Sequence, residues 1–172
     1  MPTTLPLPIE LELPDDWRAV PPDEAGAPGV AFAAVHPGAD DGFTANITVD
    51  GDIPPEDATL DDIADGSVER MREVAGSVVL TERQAAGTAD VPALTQQLSF
   101  TALAGGVRHA LLQTQVYLAL TDAKDPHRRA VIRLALTATA AQHDEVLPDF
   151  QDVVRSVRPD TRPPRPAAGG PN

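Results

Sequence analysis

Ala93-Leu-Thr-Gln-Gln-Leu-Ser-Phe-Thr-Ala102, Val107-Arg-His-Ala-Leu-Leu-Gln-Thr-Gln-Val-Tyr-Leu-Ala-Leu120 and Arg129-Ala-Val-Ile-Arg-Leu-Ala-Leu-Thr-Ala-Thr-Ala140 are three long segments that alternate between apolar and polar residues. This is the period-2 signature of half-buried strands. Gly105-Gly106 and Asp122-Ala123-Lys124-Asp125-Pro126 separate them, and connections this short join antiparallel neighbours in a meander. One set of side chains reads as core: Leu94, Leu98 and Phe100, then Leu112, Val116, Leu118 and Leu120, then Ile132, Leu134 and Leu136. The other set, Thr95, Gln97, Ser99, Gln113, Gln115, Tyr117, Val131, Arg133 and Thr137, is expected to be hydrated or to meet something polar.

Upstream, Val78 to Ala85 is a fourth strand candidate, and Val30 to Val35 with Phe43 to Val49 reads as a hairpin across His36 to Gly42. Ile9 to Leu13 alternates and is stopped by Pro14. Residues 21 to 29, rich in Pro and Gly, form a loop. Thr59 is placed to cap a helix whose first turn carries Asp61 and Asp62, where the dipole favours negative charge. In that helix Leu60, Ile63, Ala64, Ser67, Met71, Val74 and Ala75 make one continuous stripe, and Gly76 is placed to stop it. Val146, Leu147, Phe150, Val153, Val154 and Val157 repeat with helical period, with Arg155 and Arg158 in the last turn and Pro159 as the stop. Pro148 requires that this helix begin close before it, near Asp144. The expected fold is α+β: a mostly antiparallel sheet of about six to seven strands with two main helices, both roofing its apolar side. Residues 9–158 form one domain, between a flexible segment at 1–8 and a Pro/Gly-rich tail at 159–172.

Bulk composition narrows the function classes. The 172 residues contain no cysteine, which excludes disulfides, thiolate zinc sites and thiol nucleophiles. Net charge is −13, and it is uneven: residues 1–70 hold sixteen acids against Arg18 and Arg70, while the remainder carries a charge of +1. Such a chain is a poor partner for nucleic acid. No stretch approaches the eighteen or more apolar residues of a membrane span, and Met1 to Pro8 lack the charge and apolar run of a signal peptide. The expected location is cytoplasmic, with no membrane partner. One Lys against twelve Arg, with much Ala, Pro and Gly, is the composition of a high-GC bacterium.

The order of these segments resembles the PsbP-like fold and, within it, the bacterial LpqN-type proteins. The residues carrying the likeness are Leu13-Pro14-Asp15-Asp16-Trp17, Asn46-Ile47-Thr48-Val49, the helix at 59–75, Val91-Pro92-Ala93, Leu134-Ala135-Leu136-Thr137-Ala138-Thr139 and the closing Ser156-Val157-Arg158-Pro159. The resemblance implies an α/β/α sandwich, relatives that act as binders, adaptors or chaperones of secreted or assembled partners, and no family-wide catalytic residues.

No motif supplies chemistry. His36, His109, His127 and His143 are widely separated and read as surface residues at strand ends or loops. Asp50-Gly51-Asp52 with Glu56, Asp57, Asp61 and Asp62 lacks a calcium-loop pattern and is interrupted by Pro54-Pro55. Gly105-Gly106 has no P-loop continuation, and Pro163 to Pro166 reads as a spacer. Trp17 is expected to pack, with its N–H bonded. The expected function is therefore a non-enzymatic protein-binding module without cofactor or metal, meeting a protein partner or a second copy of itself through Gln97, Gln113, Gln115, Tyr117 and Arg133. Two alternatives accompany it: a small-molecule binder or enzyme with a pocket near Trp17, Tyr117 or a histidine, and an acidic structural subunit of an assembly.

Overall fold

The computed structural model describes residues 9–25, 30–40, 43–55, 57–75, 77–88, 91–104, 106–121 and 129–159. The expected turn at 122–126, the helix stop at Gly76, His127, the N-terminal segment 1–8 and the prolines at 163–166 lie outside them. Seven strands form an antiparallel sheet: β2 (Arg18–Val20), β3 (Phe32–Asp40), β4 (Phe43–Asp52), β5 (Val79–Gly87), β6 (Pro92–Ala104), β7 (Val107–Thr121) and β8 (Arg129–Thr139), in the order β2-β3-β4-β8-β7-β6-β5. A separate two-stranded pair joins β1 (Ile9–Glu10) to β9 (Arg158–Pro159), so the first alternating segment does not enter the main sheet. Pro159, expected to begin the tail, is paired with Ile9.

The two helices lie on opposite faces of the sheet. Helix α1 (Leu60–Ala75) packs on β6 and β7, and α2 (His143–Ser156) packs on β8 and β4. The α/β/α sandwich implied by the resemblance is what forms, and the expectation that both helices roof one face is corrected. The cause is a phase across a turn. Ala104 stands opposite Val107, so the even-numbered residues of β6 share a face with the odd-numbered residues of β7. Leu94, Leu98 and Phe100 therefore sit beside Tyr117, Gln113 and Leu111, under α1, and not beside Val116 and Leu134. Alternation sorts residues within a strand, whereas register decides which sets are joined.

Under α2 lies the larger core: Ala45, Ile47 and Val49 of β4, Val116, Leu118 and Leu120 of β7, Ile132, Leu134, Leu136 and Ala138 of β8, closed by Val146, Phe150 and Val153. Trp17 joins it through a turn in which Trp17 N–H donates to the Pro14 carbonyl at 3.3 Å and Asp16 takes a left-handed φ of 78°, a conformation Asp tolerates. The indole N–H donates to Asp149 Oδ2 at 2.9 Å, so this Trp packs with its polar atom satisfied, as expected.

Helix α1 begins with a reciprocal cap. Thr59 Oγ1 accepts from the Asp62 N–H at 3.0 Å, and Asp62 Oδ2 accepts from the Thr59 N–H at 3.1 Å. Its buried stripe is Ala64, Ser67 and Val68, with Leu60, Ile63, Met71 and Ala75 half-buried. Pro148 falls in the second turn of α2, where the N–H it lacks would have reached the carbonyl of exposed Asp144. Among the described residues no helix is long and apolar enough to cross a membrane.

Candidate functional site

The sheet face beneath α1 carries a continuous ladder of amides and hydroxyls. Gln113 Nε2 donates to Thr137 Oγ1 at 2.8 Å, and Gln115 Nε2 donates to Gln113 Oε1 at 2.5 Å. Gln115 Oε1 accepts twice, from Gln96 Nε2 at 2.7 Å and from the Tyr117 hydroxyl at 2.8 Å. Gln96 Nε2 also reaches the Ala64 carbonyl of α1 at 3.2 Å, and Gln96 Oε1 accepts two N–H groups of Arg83 at 3.0 and 2.7 Å. Arg83 continues to Asp65 at 2.7 Å and Asp61 at 3.6 Å, so the ladder ends at the exposed carboxylates of α1. Gln96, Gln115 and Tyr117 are almost fully buried. Buried amides are tolerated only when paired, and here each finds partners on the neighbouring strand.

At the other end, Tyr117 Oη lies 2.5 Å from Ser67 Oγ, and Ser67 Oγ accepts from Arg70 Nη2 at 3.2 Å and Arg133 Nη1 at 3.5 Å. Because Gln115 Oε1 can only accept, Tyr117 donates to it and the Ser67 hydroxyl donates in turn to Tyr117. Burial raises the Tyr117 pKa above its usual value, outweighing the lowering by the Ser67 bond and by the positive charges of Arg133 and Arg70. Tyr117 is thus a neutral phenol at physiological pH, a fixed donor and not a base.

Tyr117, Ser67, Arg70 and Arg133 border a cavity of about 480 Å³ between α1, the end of β4 and β8. Ile63, Val131, Pro54 and Pro55 supply apolar wall, and Asp50, Asp52 and Asp62 supply carboxylates. Among the described residues, neither arginine has a carboxylate within 4.0 Å, although Asp50 stands directly opposite Arg133 in the β4–β8 register.

The opposite face has an open strip. Helix α2 packs mainly on β8 and β4, and over β6 its cover thins: Ala93 is buried, Thr95, Gln97 and Ser99 are half-buried and Thr101 is exposed. Leu147, Phe150 and Val154 of α2 and Ala93, Thr95, Thr114, Val116 and Leu118 of the sheet wall a groove of about 380 Å³ there. Beyond it runs β5, an edge strand exposed at every position except half-buried Arg83. Val79, at the start of β5, and Leu103, on β6 beyond the end of the β5 pairing, are 59% and 71% exposed.

Of the five residues expected to bind a partner, Gln113, Gln115, Tyr117 and Arg133 are brought together, but under α1 and not on an open face. Gln115 and Tyr117 are 1% exposed and have no surface to offer a protein. Gln97 is on the opposite face, half-buried beside the groove, with its Oε1 accepting from Thr81 Oγ1 at 3.0 Å. Gln96, Ser67, Arg70 and Arg83 complete the ladder and cavity and were not singled out from sequence. Ser67 inside the apolar stripe of α1 was the available signal for a polar partner on the sheet. Two histidines also differ from expectation: His143 is fully buried at the start of α2 with Nε2 2.8 Å from Thr114 Oγ1, and His109 is 5% exposed beside Phe43. His36 packs edge-on against Trp17 at 5.2 Å. Among the described residues no three His, Asp or Glu side chains cluster as metal ligands.

Helices on both faces of this antiparallel sheet, with β1 paired to β9, define a PsbP-like α+β sandwich. The chain is similar in structure to LpqN of Mycobacterium tuberculosis, described as involved in cell envelope biogenesis, at a TM-score of 0.60 and 16% identity over 87% of this chain and 81% of that one. It is also similar to the cyanobacterial PsbP of Synechocystis, at TM-score 0.56 and 20% identity over 88% and 86% of the two chains. The Ran-binding protein Mog1p of Saccharomyces cerevisiae matches at TM-score 0.53 and 13% identity over 87% and 89%. No protein-family model matches the sequence, and no curated protein does.

Proposed function

We propose that the protein is a non-enzymatic binding module, an adaptor or chaperone that holds an apolar segment of a partner polypeptide against the strip between α2 and the β5 edge. The observation that carries this reading is the off-centre seat of α2. By packing most closely on β8 and β4 it leaves half-buried Leu147 and Val154 bordering a groove over β7 and β6. A concave, mainly apolar groove walled by half-buried Leu147 and Val154 has the character of a docking surface. The open β5 edge adds unpaired backbone groups that can accept a further strand. Glu82 and the register shift between Leu80 and Glu82 blunt that edge against indiscriminate pairing, leaving the groove to select. The Ran-binding description of Mog1p, on the same fold, supports a protein partner in general terms. Gln97 is the one expected contact residue that borders this strip.

A photoreactive residue placed at Gln97 or Leu103 tests the reading in cells expressing the protein at natural level. The expected result is one discrete adduct from both positions, lost in Val154→Asp and absent when the same group is placed at Arg72 on the exposed side of α1. Equal adducts from Arg72, or persistence in Val154→Asp, would reject the strip as the docking surface.

A further inference from the structure

We propose that the cavity beneath α1 is a binding site for a small zwitterion, with its carboxylate or phosphate held by Arg70 and Arg133 and its ammonium group by the carboxylates of Asp50, Asp52 and Asp62. This site is on the opposite face from the groove, and it stands or falls independently of the protein-docking reading.

The charge pattern is the first reason. A guanidinium carries five N–H donors in a rigid fork suited to two oxygens of one anion. Arg70 and Arg133 both donate to the neutral Ser67 Oγ, Arg133 also interacts with the Tyr117 hydroxyl, and among the described residues neither has a counter-ion. Arg83, packed against the same helix, shows the usual outcome: it takes the carboxylates of Asp65 and Asp61. Half-buried Arg133 and the more exposed Arg70, held away from the carboxylates across the cavity, are positions suited to an outside anion.

The carboxylates repeat the pattern with opposite sign. Asp50, Asp52 and Asp62 are each fixed through one oxygen to a backbone N–H, of Gly51 at 2.9 Å, Ile53 at 2.8 Å and Thr59 at 3.1 Å. All three line the same cavity, and none is ion-paired among the described residues. A simple anion would face three carboxylates, and a simple cation two guanidinium groups. A molecule with both charges complements the whole wall, and Ile63, Val131, Pro54 and Pro55 accommodate an apolar body between them. The volume of about 480 Å³ lies within the range of small-ligand pockets. Gly66 lines the cavity beside the cations, where a Cβ would sit in ordinary van der Waals contact with the Arg70 guanidinium at 3.5 Å.

The test is an NMR titration of the full chain with L-leucine and with O-phosphoethanolamine, which separate the carboxylate from the phosphate form. Acetate, inorganic phosphate and ethylammonium serve as single-charge controls. The expected result is saturable shifts at Ser67, Tyr117 and Arg133 with at least one zwitterion, about tenfold tighter than with any control. Arg70→Gln, on an exposed helix position that leaves folding intact, and Asp50→Asn should each weaken it about tenfold. No saturable shift up to about 10 mM, equal affinity for a single-charge control, or affinity unchanged in both variants would overturn the assignment.

Discussion

The two faces of one sheet are built on different principles. Under α2, Ile47, Leu134, Leu136 and Phe150 are at most 1% exposed and make a dry core. Among the described residues the polar links there are few, chiefly Trp17 to Asp149 and Thr114 to His143. Under α1, burial is as deep at Gln96, Gln115 and Tyr117, but the contacts are directional. Apolar burial is non-directional and proportional to area, so it holds α2 firmly without specifying its position to a fraction of an ångström. A hydrogen-bonded ladder contributes less net stability but accepts one arrangement only. The helix that borders a charged cavity is the one seated on the ladder. Fixing α1 through Ala64 and Ser67 fixes Arg70 and Asp62 on the same helix.

Substitutions separate these roles, beginning with the largest effect. Leu134→Ala empties a fully buried position on the α2 face and should cost about 2–5 kcal/mol in urea unfolding. A loss below about 1 kcal/mol would show that this face is not the main core. Gln115→Leu strands Gln113, Gln96 and Tyr117 at once and should cost about 1–3 kcal/mol. Adding Gln96→Leu should cost less than the sum of the single changes, because the two amides share a bond. Strict additivity would mean the ladder is not a unit. Trp17→Phe removes a single polar tie from the dry face and should cost about 0.5–1.5 kcal/mol, matched by Asp149→Leu.

At the open margin, Leu103→Glu should change stability by less than about 0.5 kcal/mol while abolishing partner capture. A large stability loss would place Leu103 in the core instead. The effect confined to the most extreme condition is alkaline. Tyr117 is the only tyrosine in the chain, so absorbance at the phenolate band follows it alone. Its folded pKa is raised above the unfolded value of 10.0, so its contribution is fully present below that pH and is lost as pH rises through the folded value. Unfolding scans should be flat in this contribution up to pH 10.0, then decline, and Tyr117→Phe should remove the decline. Ionisation at or below pH 10.0 in the folded protein would contradict a neutral, buried phenol.

Much of this architecture is written locally. The alternation of β6, β7 and β8, the Thr59 cap, the apolar period of both helices and the packing of Trp17 depend on neighbours within a few residues, and each was legible in the chain. Alternation also put Gln113, Gln115 and Tyr117 on one face of β7, and the β7–β8 register then joins that face to Arg133 by setting it opposite Tyr117. What cover those residues receive was not. It depends on Ala104 meeting Val107 and on which side of the sheet α1 comes to rest, relations between segments far apart in sequence. Alternation defines two faces on every strand but carries no information about which face of the next strand it will join. Only the assembled register turned an apparently open polar surface into a buried ladder beside a charged cavity, and moved the free margin to the other side of the sheet.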